Sequence, residues 1–296
     1  MKKNCLFCLL LFFSCHSAFA DERLDSLLNV LDKTIKEADT YVQIKENKLH
    51  ELKREARKTA PLSIERYHLN NDIYLEYKAY SSDSALHYLN ENLLLARQLN
   101  DKERELKIQL ELSYLLSSIG MYMEAADILN SIDRQTLPTP LLGHYYTCYE
   151  HVYSEAGAAQ PRYKMFASRY VKLSHAYRDS MEVTLDPSSA TYLWLRETQL
   201  REAGKYDEAM EFSDRRLAEA SFGTPQYALV AYQRFRLFES MGKKDEHLYY
   251  LVLSAISDVR SAIKEQSSLM VLAQELHSKG DLKRAYDYIN FSWEIS

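Results

Sequence analysis

Glycine is scarce in this 296-residue chain, seven in all, and five of the seven read as one repeated structural position. Gly120 begins GMYMEAADIL, Gly204 begins GKYDEAMEF, Gly242 begins GKKDEHLYYL and Gly280 begins GDLKRAYDYI. Each follows one amphipathic helical run and precedes another. Gly204, Gly242 and Gly280 stand 38 residues apart, and the 84 residues from Gly120 to Gly204 leave room for two units, with a degenerate hinge at Gly157. Five residues after the glycine comes an alanine at Ala125, Ala209 and Ala285, with His247 the exception. A glycine that accepts left-handed backbone closes one helix, and a small residue five positions on lets the next lie close against it. Scattered glycines cannot form a phosphate-cradling loop, which needs several backbone N–H groups converging on one anion. Self-similarity at this stride is the mark of a helical repeat.

The rest of the chain agrees. No run alternates apolar and polar residues between hairpin turns. The prolines, Pro61, Pro138, Pro140, Pro161, Pro187 and Pro225, all fall at junctions, where a missing N–H costs a helix nothing. The pattern resembles the tetratricopeptide (TPR) repeat. Leu193, Leu200, Gly204, Tyr206, Ala209 and Met210 carry the match best; Ser113 and Ala273 supply the small residue of the first helix, where Glu197 and Phe235 depart from it. About six hairpins follow, with hinges near Tyr80, Gly120, Gly157, Gly204, Gly242 and Gly280. The third is weakest: its hinge AGAAQP lacks the alanine, and an extra stretch, RDSMEVTLDP, precedes the fourth.

The resemblance implies an all-α fold, a right-handed superhelical solenoid over residues 61–296 whose first helices line a concave groove. It places on that groove Tyr67, Tyr74 and Tyr77, then Tyr114, His144 and His151, then Trp194 and Arg201, Tyr232 and Arg236, and Met270 with His277. Aromatic rings with a few cations suit a binding surface. The same rings, among 23 tyrosines, also suit packing between helices with the hydroxyl at the rim.

Two segments precede the repeats. Residues 1–20, MKKNCLFCLLLFFSCHSAFA, read as a secretory signal cleaved after Ala20, with lipidation at Cys15 as the second reading. Residues 21–60 hold one long helix, bent or straight, with a heptad seam at Leu28, Leu31, Ile35, Ala38, Val42, Leu49, Leu52 and Ala56, broken once at Lys45. Through residues 24–56 it either caps the array or pairs with a second copy as a homodimer. Export leaves Cys148 as the sole cysteine, so no internal disulfide forms, and its apolar surroundings suggest a buried thiol.

Loss of Lys2 and Lys3 leaves 35 basic against 42 acidic side chains, which argues against a nucleic-acid partner. No apolar run after residue 20 is long enough to span a membrane. There is no HExxH, CxxC or GxSxG motif and no EF-hand loop, and His144 and His151 stand too far apart to share a metal unaided. No catalytic residue, metal site or cofactor is expected. The reading is an exported, periplasmic scaffold that takes a peptide or protein in its groove. Leader, heptad segment and irregular repeats together resemble the sensor half of membrane-spanning bacterial regulators. The alternatives are a free-standing periplasmic adaptor and, in a different class, an enzyme whose residues converge from distant repeats. The ending YDYINFSWEIS breaks off within the second helix of the sixth pair, as in a truncated product or an end that docks on another chain.

Overall fold

The computed structural model describes residues 22–159, 162–264 and 267–295. The leader, with its cleavage site after Ala20 and with Cys15, lies outside the described residues. Among those described, every regular element is helical. Residues 22–36 form α1, followed by α2 (Ala38–Ala56), α3 (Ile64–Tyr77), α4 (Ser82–Gln98), α5 (Lys102–Ser118), α6 (Tyr122–Ser131), α7 (Thr139–Ala158) and α8 (Lys164–Thr184). Then come α9 (Ala190–Glu202), α10 (Tyr206–Glu219), α11 (Pro225–Ser240), α12 (Lys244–Arg260), α13 (Ser267–Lys279) and α14 (Leu282–Ile295). Side chains cap several starts: Ser63, Asp101 and Thr224 accept the backbone N–H groups of Arg66, Arg104 and Tyr227.

The hinge reading holds at four glycines, whose φ angles of +71° to +88° only glycine adopts without strain. It fails at Gly157, which lies inside α7. The reversal there comes after Ala158, and Gly157 serves close approach instead: a Cβ on it would stand 3.4 Å from that of Tyr170 on α8. The facing small residues also behave as the pattern requires. Ser113 is buried and donates its hydroxyl to the carbonyl of Ala125 at 3.0 Å. Where the first helix carries Phe235 instead, the residue five positions after the glycine is His247, and the two rings lie 5.6 Å apart. At Glu197 the gap is filled by a buried ion pair with Arg216 at 2.5 Å.

The chain packs as two compact units. The central unit is Glu46–Arg196; the terminal unit joins Glu197–Ser296 to the described part of residues 1–45. In the central unit, Leu49 and Ala56 of α2 enter one apolar cluster with Ile73, Tyr74, Ala85, Leu89 and Ile108. A second cluster there gathers Leu110, Leu129, Cys148, Met181 and Leu195. In the terminal unit, Leu28 and Leu31 of α1 are buried among Leu251, Ile256, Leu269 and Tyr288.

The heptad segment is therefore interrupted at Glu37, and these apolar residues of its seam are buried within the chain. Polar bonds fix α1: Arg284 of α14 reaches Asp25 at 2.8 Å and Asp32 at 3.0 Å, and donates to Asn29 at 2.8 Å, while the Tyr288 hydroxyl donates to Asp32 at 2.7 Å. α1 thus lies along α14, the last helix of the array.

Candidate functional site

Three first helices of consecutive hairpins, α3, α5 and α7, bring polar side chains together in the central unit. Glu111 of α5 is the hub. Its carboxylate accepts the Tyr74 hydroxyl at 2.8 Å and lies 3.4 Å from the Lys78 ammonium and 3.7 Å from Nε2 of His144. Lys78, just past the end of α3, sits over two rings, 4.9 Å from the centroid of Tyr114 and 5.7 Å from that of Tyr74. Tyr114 in turn stacks on His151, with centroids 4.0 Å apart and planes within 9°. The Ser118 hydroxyl donates to the Tyr114 carbonyl at 2.9 Å and lies 2.9 Å from Nε2 of His151. With its single proton committed, Ser118 accepts from Nε2–H of a neutral imidazole.

Electrostatics follow from burial and partners. Burial alone would raise the Glu111 pKa, but Lys78, His144 and the Tyr74 hydroxyl outweigh it, and the carboxyl is held below its ordinary value. Tyr74 is pushed up by burial and by the same carboxylate. Burial lowers His144 against the pull of Glu111, and lowers His151 to about 4, with Lys78 adding to the effect. At neutral pH the cluster therefore holds one anion, one cation and two neutral imidazoles. The Lys78 side chain, 37% exposed, and Ser118, also exposed, are the parts that reach solvent.

Of the expected groove residues, Tyr74, Tyr114, His144 and His151 meet here. Tyr77 belongs to a neighbouring stack, its ring 6.3 Å from that of Tyr80 and 5.9 Å from that of Tyr88, with Lys53 bonded to its hydroxyl at 2.5 Å. Tyr67 is buried beneath Arg104, and Trp194 packs on the second apolar cluster of this unit. The terminal unit brings its candidates into no comparable cluster. Arg201 is half-buried, Tyr232 rests on Phe235 at 5.4 Å, Arg236 pairs with Glu239 at 3.0 Å on the surface, and Met270 and His277 are exposed.

The family enters here. A model described as SusR N-terminal TPR domain matches residues 35–296. The chain belongs to that family. No curated protein matches it significantly. TPR domains are in general scaffolds for protein interaction rather than catalysts.

Three members of the cluster were not among the expected groove residues. Lys78 and Ser118 do fall on groove positions, but a lone lysine and serine give no signal in sequence. Glu111 stands beside a groove position, not on one, and only the fold brings it to Tyr74 and His144. Cys148, as expected, is a buried thiol: it donates to the Leu110 carbonyl at 3.4 Å, and burial raises its pKa. Among the described residues no three His, Cys, Asp or Glu side chains gather closely enough to hold a metal ion, and no helix is long and apolar enough to cross a membrane.

Proposed function

We propose that this TPR domain is the exported, periplasmic interaction region of a membrane-associated transcriptional regulator, and that it takes a peptide or protein segment on the face formed by α3, α5 and α7. One observation carries the reading: Lys78, partly in solvent, rests over the Tyr74 and Tyr114 rings against Glu111, with Tyr114 stacked on His151 and the exposed Ser118 hydroxyl against that imidazole. A cation already neutralised and held in place exchanges partners at low cost in ordering. Aromatic rings near a charged group are also where interface energy concentrates. The family match, to a domain named for SusR, and the sequence of residues 1–20 support the regulator and export parts of the reading.

A photo-crosslinking amino acid at Ser118 should join a partner in cells, and the same group at exposed Val183 of α8 should not. Glu111→Gln should reduce the Ser118 adduct about tenfold, because Lys78 then lacks its counter-ion. Equal crosslinking from both positions, or an adduct indifferent to Glu111, rules the face out. Export is read separately: the mature protein should begin at Asp21.

A further inference from the structure

The first turn of α8 stands apart from the core that the rest of the helix serves. Farther along, Ser174, Arg178 and Met181 are buried in the central unit, and Ser174 and Arg178 donate to Glu150. Every residue from Arg162 to Phe166, by contrast, is exposed, so this turn meets solvent on all sides. Its large apolar side chains are no exception. Tyr163 is 64%, Met165 75% and Phe166 47% exposed, and none of the three joins an apolar cluster of the described residues.

The charges around this turn are of one sign. From Ala156 to Arg178 the chain has no acidic side chain, in a protein whose formal net charge is −5. Arg162, Lys164, Arg169 and Lys172 are exposed, and none of them makes an ion pair among the described residues. Elsewhere on this unit surface cations are met by acids: Arg97 and Lys102 bond to Glu105 at 2.9 and 3.0 Å, and Lys48 to Glu76 at 2.5 Å. Met165, Arg169 and Lys172 are spaced four and three residues apart, so they share one side of α8. Unpaired cations around exposed rings are complementary to an anionic partner.

The directions of the apolar side chains favour a bilayer over a protein. A protein groove takes its anchors from one helix face. Here Lys164, Met165 and Phe166 point three ways, about 100° apart, with Tyr163 just outside the helix. A lipid headgroup layer admits side chains in any direction, and it lets lysine and arginine stems reach back to the phosphates while apolar neighbours sink past them.

We infer that the start of α8 is a peripheral membrane contact. Tyr163, Met165 and Phe166 enter the boundary between headgroups and acyl chains of a bilayer containing anionic phospholipid, and Arg162, Lys164, Arg169 and Lys172 bind its phosphates. The contact lies on the membrane and does not span it. None of these residues belongs to the site around Glu111, so the two readings stand or fall separately.

Residues 21–296, free of the apolar leader, are sedimented with vesicles of phosphatidylcholine holding about one third phosphatidylglycerol. They should bind these and not pure phosphatidylcholine vesicles, and about tenfold more salt should release them. Arg169→Gln with Lys172→Gln should weaken binding at least about tenfold, at roughly fivefold for each cation. Met165→Ser with Phe166→Ser should weaken it by a similar factor and leave the salt dependence in place. All four side chains are exposed, so both variants should keep the circular dichroism and melting temperature of the parent. No preference for the anionic vesicles overturns the inference. So does binding that falls with the cation variant but not with the apolar one, which would make the occupant a soluble polyanion such as an acidic protein.

Discussion

The two units bury carboxylates in opposite ways. In the central unit Glu111 has three partners, and its pKa falls below the ordinary value in spite of burial. In the terminal unit Glu197 faces Arg216, yet burial prevails over that arginine and Arg201, and its pKa rises. Asp258, buried at the end of α12 and bonded to the Ser268 hydroxyl, is pushed up to about 7 by burial. What separates them is the set of groups meeting the charge: burial costs each carboxylate its hydration, and only a sufficient set of donors and cations reverses the sign. The central unit gathers its polar groups from three helices onto one face. In the terminal unit Glu197 and Asp258 are buried at separate places, Glu197 against Arg216 of α10 and Asp258 against Ser268 of α13.

Removing one arginine from each unit strains this contrast most. Arg216→Met leaves Glu197 buried without its cation and should destabilise the terminal unit by about 3–5 kcal/mol. Arg178→Met does the same to Glu150 in the central unit, where Arg178 lies 2.8 Å from the carboxylate, but Ser174 still donates to it at 3.0 Å, so the loss should be smaller. Urea unfolding followed by far-ultraviolet circular dichroism measures both. An equal cost would mean that the remaining donor counts for nothing.

Acidification separates the units next. Asp258 has a folded pKa near 7, above the ordinary 3.8, so the folded state binds the extra proton between those values. Its contribution to stability therefore rises as the pH falls from above 7 towards 4, by on the order of 3 kcal/mol. His151 has a folded pKa of about 4, below the ordinary 6.5, and stability is lost as the pH falls through that window. Asp258→Asn should remove the gain that Asp258 supplies, so that the variant weakens between pH 6.5 and 4 relative to the wild type. Parallel stability–pH curves for the two proteins would refute the assignment.

Much of this contrast could not be read along the chain. The hinges at Gly120, Gly204, Gly242 and Gly280 were legible because left-handed backbone favours glycine so strongly. Asn100 and Ala262 adopt the same conformation, at φ of 54° and 53°, without that signal. Gly157 was misread because a glycine needed for helix contact looks identical in sequence to one needed for a turn. The tyrosines of the first helices were identifiable by register, but their burial depended on neighbours supplied by other helices. Glu111 shows the limit most plainly: its partners are 33 to 37 residues away in one direction and 33 in the other, on two different helices. The heptad seam likewise announced that α1 needs a partner, while leaving open whether that partner was a second copy or, as found, the array itself, at α14.

The smallest expected effect tests the comparison at a single hydroxyl. Tyr74→Phe takes one donor from Glu111 and leaves Lys78 and His144 beside it, so the carboxylate stays charged and the cost should be about 1 kcal/mol. Ser268→Ala takes the hydroxyl bonded to Asp258. At pH 8, above the folded pKa of that aspartate, the buried charge then loses a donor with little to replace it, and the cost should approach about 2 kcal/mol. Below pH 6 Asp258 is protonated, and the Ser268→Ala penalty should shrink, while that of Tyr74→Phe holds until Glu111 itself titrates at lower pH. Denaturant midpoints for the two variants at pH 8 and pH 5.5 measure this directly. A Ser268→Ala cost that does not move with pH would show that the partner set around Asp258 is not what sets its charge.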